Sequence, residues 1–210
     1  MNFPLQLQKI EFHNGVVELF VPEATAVKEA YQKEKIAFPF WSQVWPAAKA
    51  LTQFLLTNSF YTENKSVLEI GAGLGLPSLV AARNATAVLC TDSSTEAVQV
   101  VAQSAVHCGL TNFTTAVLDW HYLPKNLVAD VLLLSDVNYE PDAFPVLMEM
   151  LDHFLQKGTI ILLSTPQRLM AKAFILALLP NCIKQEEITV IEGNEAVAVT
   201  VMVLSKQNRV

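Results

Sequence analysis

The stretch that decides the fold is VLEIGAGLGLPS, residues 67–78, in which an apolar run leads into three glycines and a proline. From there to about residue 179, short apolar segments alternate with amphipathic segments of helical period. Strands that are apolar on both faces and separated by helices are typical of a parallel sheet covered on both sides. We therefore predict an α/β fold with a doubly wound, mostly parallel sheet, in which this stretch supplies the first sheet strand and the turn after it.

The C-terminal part of the chain departs from this alternation. Residues 183–191 and 196–205 are both strand-like, and only residues 192–195 separate them. Parallel neighbours need a crossover of a dozen or more residues, so these two segments are predicted to form an antiparallel hairpin.

The N-terminal part carries a second hairpin signal. Residues 6–21 alternate polar and apolar side chains on both sides of Asn14-Gly15, a dipeptide typical of tight hairpin turns. Residues 23–35 have a helical composition. We interpret residues 1–37 as an N-terminal extension within a single domain that spans residues 1–210.

Composition favours a well-packed cytoplasmic protein. The chain has 210 residues, 52% of them hydrophobic, and a net charge of −6. No apolar run approaches the roughly 18 residues of a membrane span, and the N-terminus lacks the pattern of a signal peptide, so we expect no membrane partner. The Lys and Arg residues form no extended basic patch, which argues against a nucleic-acid partner. The three cysteines and four histidines show no metal-ligand spacing, so no metal site is expected.

The glycine turn is the first candidate binding element. Gly71, Gly73 and Gly75 follow a G-x-G-x-G rhythm, whereas a dinucleotide fingerprint requires its third glycine at position 76, which is leucine. Glu69 makes the site less suitable for a pyrophosphate and more suitable for a cationic ligand. The alternative is an ordinary tight connection between a strand and a helix.

Asp92 is the second candidate, because it ends the strand AVLCTD. An acid at this position can accept hydrogen bonds from both hydroxyls of a ribose, which implies an adenosine. The alternative is a helix N-cap, although Ser94 or Thr95 could also serve as the cap.

Four motifs in this order, LEIGAGLGLPS, CTD, LDW (118–120) and SDVNYEP (135–141), resemble those of the seven-β-strand S-adenosylmethionine-dependent methyltransferases. The W-x-x-A motif at 45–48 and the D-x-x-Y motif at 136–139 resemble family 16 of that class, whose characterised members mostly methylate lysine side chains of proteins. The resemblance covers about residues 38–205, which we interpret as the core of the domain. It implies a seven-stranded Rossmann-like sheet that ends in an antiparallel hairpin of its sixth and seventh strands, and S-adenosyl-L-methionine as the cofactor.

The resemblance also assigns cofactor contacts, residue by residue. It implies that Ala72 and the first two glycines line the methionine and ribose, that Asp92 binds the ribose, and that Asp119 and Trp120 lie beside the adenine. The alternative for Trp120 is a core aromatic residue. The cofactor-binding residues implied by motif position are Trp45, Gly71, Ala72, Gly73, Asp92, Asp119, Trp120 and Ser135.

Catalysis is assigned to Asp136 and Tyr139. We expect Asp136 to capture and orient a lysine ammonium, and Tyr139 to donate hydrogen bonds and to wall the lysine channel. The alternative is a turn that leads into a helix. Asn138 and Ser135 depart from the family pattern. Arg168 follows the fifth sheet strand, and we expect it to be an exposed surface residue; the alternative is that it faces the substrate.

Protein-lysine methylation is the predicted function. Two alternatives remain open: a methyltransferase that acts on a small-molecule amine or amide, and a non-catalytic adaptor.

Overall fold

The computed structural model describes residues 3–34 and 38–206 of the chain. Its β-strands are β1 (Leu5–Phe12), β2 (Gly15–Pro22), β3 (Ser66–Ile70), β4 (Ala87–Asp92), β5 (Phe113–Val117), β6 (Val131–Ser135), β7 (Ile160–Pro166), β8 (Cys182–Glu192) and β9 (Glu195–Leu204). Its α-helices are α1 (Ala24–Glu34), α2 (Pro46–Thr57), α3 (Leu76–Ala81), α4 (Thr95–His107), α5 (Phe144–Gln156) and α6 (Lys172–Leu178).

Seven strands form one sheet in the order β5-β4-β3-β6-β7-β9-β8. The pairs from β5 to β7 are parallel, whereas β9 is antiparallel to both β7 and β8. The predicted α/β fold with a C-terminal antiparallel hairpin is therefore confirmed. The strand order reverses between β3 and β6, the position at which open α/β sheets bind their ligands.

The core lies on both faces of this sheet because the central strands are apolar on both faces. Leu51 and Phe54 of α2 are buried in the apolar cluster on one face, and Leu147 and Phe154 of α5 are buried in the cluster on the other. No helix within residues 3–34 or 38–206 is long and apolar enough to cross a bilayer.

The N-terminal hairpin packs onto the same core as α2. Val17, Leu19 and Val21 alternate along β2 and are buried in that core, and Phe20 N–H donates to Ser104 Oγ of α4 at 2.9 Å. The turn differs from the prediction by one residue, because β1 and β2 pair as far as Phe12 and Gly15 and leave residues 13–14 as the loop. Helix α1 lies within the predicted residues 23–35, of which Lys35 is outside the described part of the chain.

Candidate functional site

A cleft of about 540 Å³ opens at the carboxyl ends of the central strands. The glycine turn after β3, the end of β4, the turn after β5 and the segment after β6 line it, together with residues 38–48. All of the residues predicted as site residues lie on this lining: Trp45, Gly71, Ala72, Gly73, Asp92, Asp119, Trp120, Ser135, Asp136 and Tyr139. The carboxyl ends of parallel strands share one edge of a sheet, which is why motifs distant in sequence meet here.

The glycine turn needs glycine for two different reasons. Gly71 and Gly75 both have φ of +66°, a left-handed backbone that side chains disfavour. A Cβ on Gly71 would lie 3.0 Å from Cζ3 of Trp120 and 3.2 Å from Cγ1 of Val137, both at the cleft. A Cβ on Gly75 would lie 2.9 Å from Val101 inside the fold. Gly71 therefore shapes the cleft, while Gly75 permits close packing behind it.

Asp92 braces the turn from the neighbouring strand. Its Oδ2 accepts from Gly73 N–H at 2.8 Å and its Oδ1 accepts from Ser94 N–H at 2.9 Å. Burial raises the pKa of this carboxyl, and the two hydrogen bonds oppose that rise. The side chain that caps α4 is that of Ser94, which accepts from Ala97 N–H at 3.2 Å. Because a carboxylate oxygen can accept two hydrogen bonds, Asp92 retains acceptor capacity toward the cleft.

Glu69 is a fully buried acid at the base of the turn. Its Oε2 accepts from Ser78 N–H at 3.1 Å and from Ser78 Oγ at 2.5 Å. Its Oε1 has no hydrogen-bond partner among the described residues. Burial raises the pKa of this carboxyl to about 8. Glu69 lies behind the cleft lining, so its carboxyl supports the turn from the interior.

Trp120 and Asp119 form the wall after β5. Trp120 is partly buried against the apolar cluster of α5, and its Nε1–H has no hydrogen-bond partner within the described part of the chain. Asp119 Oδ1 accepts from His121 N–H at 2.9 Å and contacts His121 Nδ1 at 2.7 Å, and these contacts lower the pKa of the carboxyl. Trp120 is thus both a packing residue and a cleft residue, so the two interpretations of it are compatible.

Asp136 forms a bidentate ion pair with Arg168. Sequence analysis did not predict this contact. Nη1 of Arg168 donates to Oδ1 of Asp136, and Nη2 donates to Oδ2 at 2.8 Å. The expectation of an exposed surface arginine is wrong, because the Arg168 side chain is 31% exposed and lines the cleft. The available signal was topological: Arg168 follows the end of β7, which pairs with β6 in the register Ser135 to Ser164.

Aromatic rings line the mouth of the cleft beside this ion pair. The ring of Phe40 lies 5.6 Å from Tyr139, 6.2 Å from Trp45 and 5.3 Å from Phe38, between ring centroids. Trp45 Nε1–H donates to the Phe40 carbonyl at 2.7 Å, which holds the segment 40–45 closed on itself. Burial raises the pKa of Tyr139, and the nearby Glu140 raises it further.

Two buried polar atoms on the cleft lining have no hydrogen-bond partner among residues 3–34 and 38–206: Nε1 of Trp120 and Oγ of Ser135. Glu69 Oε1 and both side-chain atoms of Asn138 are also unpaired within that part of the chain, but these two residues are fully buried and lie off the lining. Buried polar groups are normally hydrogen-bonded, so those that line a cleft indicate a ligand with matching donors and acceptors. S-adenosyl-L-methionine carries an ammonium, ribose hydroxyls and an adenine, and the residues present therefore fit it. The same described residues contain no group of three or more His, Cys, Asp or Glu placed to hold a metal ion.

Comparisons with known proteins find methyltransferases. A family model described as lysine methyltransferase matches residues 28–180. A histone-arginine methyltransferase of Mus musculus is 30% identical over 139 residues, which is 63% of this chain and 55% of that protein. A protein N-lysine methyltransferase of Xenopus tropicalis is 28% identical over 162 residues, 75% of this chain and 74% of that protein.

Among solved structures, the N-methyltransferase NodS of Bradyrhizobium japonicum in complex with S-adenosyl-L-homocysteine matches with a TM-score of 0.62. The match covers 85% of this chain and 97% of that chain at 13% identity, a level that shows the shared fold alone. The chain spans little more than half the length of the mouse relative.

Proposed function

The chain belongs to the lysine methyltransferase family, and from that membership we propose that it transfers a methyl group from S-adenosyl-L-methionine to a lysine side-chain nitrogen of a protein. The observation that carries the proposal is the single cleft in which the glycine turn and the Asp136–Tyr139 segment face each other. The motif proposed to bind the methyl donor and the motif proposed to bind the acceptor therefore line the same cleft.

The donor half of the cleft suits the cofactor group by group. Asp92 would accept from the ribose hydroxyls, and Trp120 would lie against the adenine. When bound, the cofactor supplies an electrophilic methyl group on a sulfonium. The residues of the chain supply alignment of donor and acceptor, a contribution that can be worth several kcal/mol.

The acceptor half must receive a neutral amine. For a lysine with an ordinary pKa near 10.4, deprotonation to the neutral amine at pH 7 costs about 4.6 kcal/mol of free energy. Asp136 would orient the incoming nitrogen through the lone pairs that Arg168 leaves free, and Tyr139 would hydrogen-bond to the nitrogen and wall its path. The proton leaves to solvent through the aromatic mouth.

An arginine acceptor is a second candidate, favoured by one specific observation. Asp136 pairs with the guanidinium of Arg168 in bidentate geometry, so a carboxylate at this position can bind a guanidinium, and a substrate arginine would use the lone pairs that Arg168 leaves free. The first relatives compared also include proteins named as histone-arginine methyltransferases.

We also propose that residues 1–37 extend a single domain whose core is residues 38–205, because β2 shares the buried core of α2. A cytoplasmic location is part of the proposal, since Cys90, Cys108 and Cys182 are free thiols, as is usual in reducing compartments.

The test is methyl transfer from labelled S-adenosyl-L-methionine. The purified chain is incubated with a protein lysate and, separately, with its desalted small-molecule extract, and labelled protein is hydrolysed to its amino acids. We expect methyl-lysine in the protein fraction. Methyl-arginine would favour the second candidate, and label in the small-molecule extract alone would refute both.

A matched pair of variants ties the activity to the cleft. Asp136→Asn is expected to lower transfer by at least about tenfold, because the carboxylate that orients the nitrogen is lost. Asp152→Asn removes an exposed carboxylate on α5 that pairs with Lys206, and should leave transfer unchanged. Equal activity of Asp136→Asn and the wild type would contradict the assignment of Asp136.

A further inference from the structure

Arg168 lies where the acceptor nitrogen is proposed to bind, yet no motif of the sequence assigned it a role. We propose that Arg168 is a positioning residue of the acceptor site: by balancing the charge of Asp136, it lets the carboxylate orient an acceptor amine without holding that amine in its charged form. The proposal rests on the proposed lysine methylation.

The contact between the two residues is built into the fold. Asp136 has φ of +57°, a left-handed conformation that is uncommon for a residue other than glycine. Its N–H donates to the Ser164 carbonyl of β7 at 2.9 Å, which fixes it to the strand that Arg168 follows. The Asp136 side chain is only 9% exposed, and both of its oxygens accept from the guanidinium. Bidentate pairing of this kind fixes the orientation of the carboxylate as well as its charge.

The charged side chains on the cleft lining come from four elements. Asp92 ends β4 and Asp119 with His121 follows β5 on the donor side, whereas Asp136 follows β6 and Arg168 follows β7 at the acceptor end. On the segment after β6, Tyr139 lies near Glu140, Asp92 and Asp136, all of which raise the pKa of its hydroxyl. Apart from the histidine, Arg168 is the one cationic side chain on the described lining. Removal of Arg168 would leave this end of the cleft dominated by carboxylates.

An uncompensated carboxylate acts against the reaction. An opposite charge within about 4–6 Å shifts the pKa of an ionisable group by about 1–3 units toward its charged form. An amine beside an unpaired Asp136 would therefore bind more tightly as an ammonium and be neutral less often. With Arg168 in place the pair has no net charge. The carboxylate can then accept a hydrogen bond from the amine, and the free-energy cost of deprotonating that amine is smaller than beside an unpaired carboxylate.

The first experiment measures the pH dependence of methyl transfer to a lysine acceptor between pH 6.5 and 10 at saturating donor. Desolvation in the cleft and the nearby sulfonium lower the pKa of the bound amine, so we expect the wild-type midpoint of kcat to lie within this pH range. We expect Arg168→Gln to move that midpoint upward by about one unit, with about tenfold lower kcat at pH 7, a KM that is equal or lower, and a deficit that narrows at the alkaline end of the range. Arg168→Lys retains the charge and should keep the wild-type midpoint. Arg83→Gln is the control, since Arg83 is exposed and donates to the Val16 carbonyl far from the cleft. A uniform loss at every pH in Arg168→Gln would indicate a merely structural role and overturn the proposal.

A second experiment does not depend on lysine being the substrate. Binding of n-butylammonium, which reproduces the end of a lysine side chain, is measured by calorimetry at pH 7 with S-adenosyl-L-homocysteine present. Arg168→Gln is expected to bind this probe about tenfold more tightly than the wild type, and the double variant with Asp136→Asn should lose the gain. Equal affinity of Arg168→Gln and the wild type overturns the proposal. If instead the binding result holds while the wild type methylates no lysine, the proposed function fails and the role of Arg168 stands.

Discussion

Replacement of Gly75 by alanine tests the packing behind the glycine turn. Gly75 has φ of +66°, and a non-glycine residue in that region costs roughly 1–2 kcal/mol. The new Cβ would lie 2.9 Å from Val101 Cγ1 and 3.0 Å from Cys90 Sγ, both in the interior of the fold. Overpacking of a core costs about 1–3 kcal/mol. Together the two effects predict a loss of about 2–5 kcal/mol in the free energy of unfolding.

Gly109 offers a matched control for this measurement. It has the same φ of +66°, but a Cβ there would meet nothing within 4 Å, so Gly109→Ala carries the backbone strain without the crowding. We expect Gly109→Ala to lose about 1–2 kcal/mol and Gly75→Ala about 1–3 kcal/mol more, both measured by urea denaturation. For a chain of this size the extra loss corresponds to a melting temperature lower by roughly 2–12 °C. If the two variants unfold within about 0.5 kcal/mol of each other, the reasoning about crowding at Val101 is refuted.

Two further predictions concern the acid behind the glycine turn, Glu69, and the cleft residue Trp120. The pKa of Glu69 is raised from its usual 4.5 to about 8, so the folded state binds more protons than the unfolded state between these values, and stability falls as pH rises from 4.5 to 8. We expect the free energy of unfolding of the wild type to fall by up to about 5 kcal/mol over this range, and that of Glu69→Gln to fall much less. Urea denaturation at several pH values measures both, and parallel pH dependences of the two proteins would contradict this prediction. Trp120→Phe removes an Nε1–H that has no partner in the described part of the chain, and donor affinity should fall about 3–10-fold by calorimetry, whereas unchanged affinity would indicate that this group does not face the ligand.

The fold was predictable because its signals are local. The central strands are apolar on both faces, and this alone indicates a sheet covered on both sides. The C-terminal hairpin followed from the short link between its strands, now β8 and β9. The one-residue error at the first hairpin has a physical cause: Asn14-Gly15 favours a turn, but Gly15 pairs with Phe12 in the ladder, and this register buries Val17, Leu19 and Val21.

The site was predictable only as far as motifs could be assigned to strand ends. Asp92 and Asp136 lie on the cleft lining because Asp92 ends a parallel strand and Asp136 directly follows one. The partner of Asp136 was not predictable, since the contact with Arg168 depends on β7 lying beside β6 and on a backbone conformation that no local pattern indicates. The pairing of Asp136 with Arg168 therefore depends on the arrangement of the sheet, and an analysis of local sequence treats Asp136 without its partner.

The same sheet sets how closely donor and acceptor can approach. A Cβ on Gly71 would lie 3.2 Å from Val137 Cγ1, so the glycine turn touches the segment that carries Asp136 and Tyr139. Val137 is buried, and the left-handed conformation of Asp136 immediately precedes it in the chain. A methyl transfer depends on the alignment of two reactants within about 3–3.5 Å, and a shift of about 1 Å can cost about a hundredfold in rate. Because Gly71 has no side chain, Val137 can pack close to the glycine turn, and the turn and the segment that carries Asp136 and Tyr139 can approach each other closely.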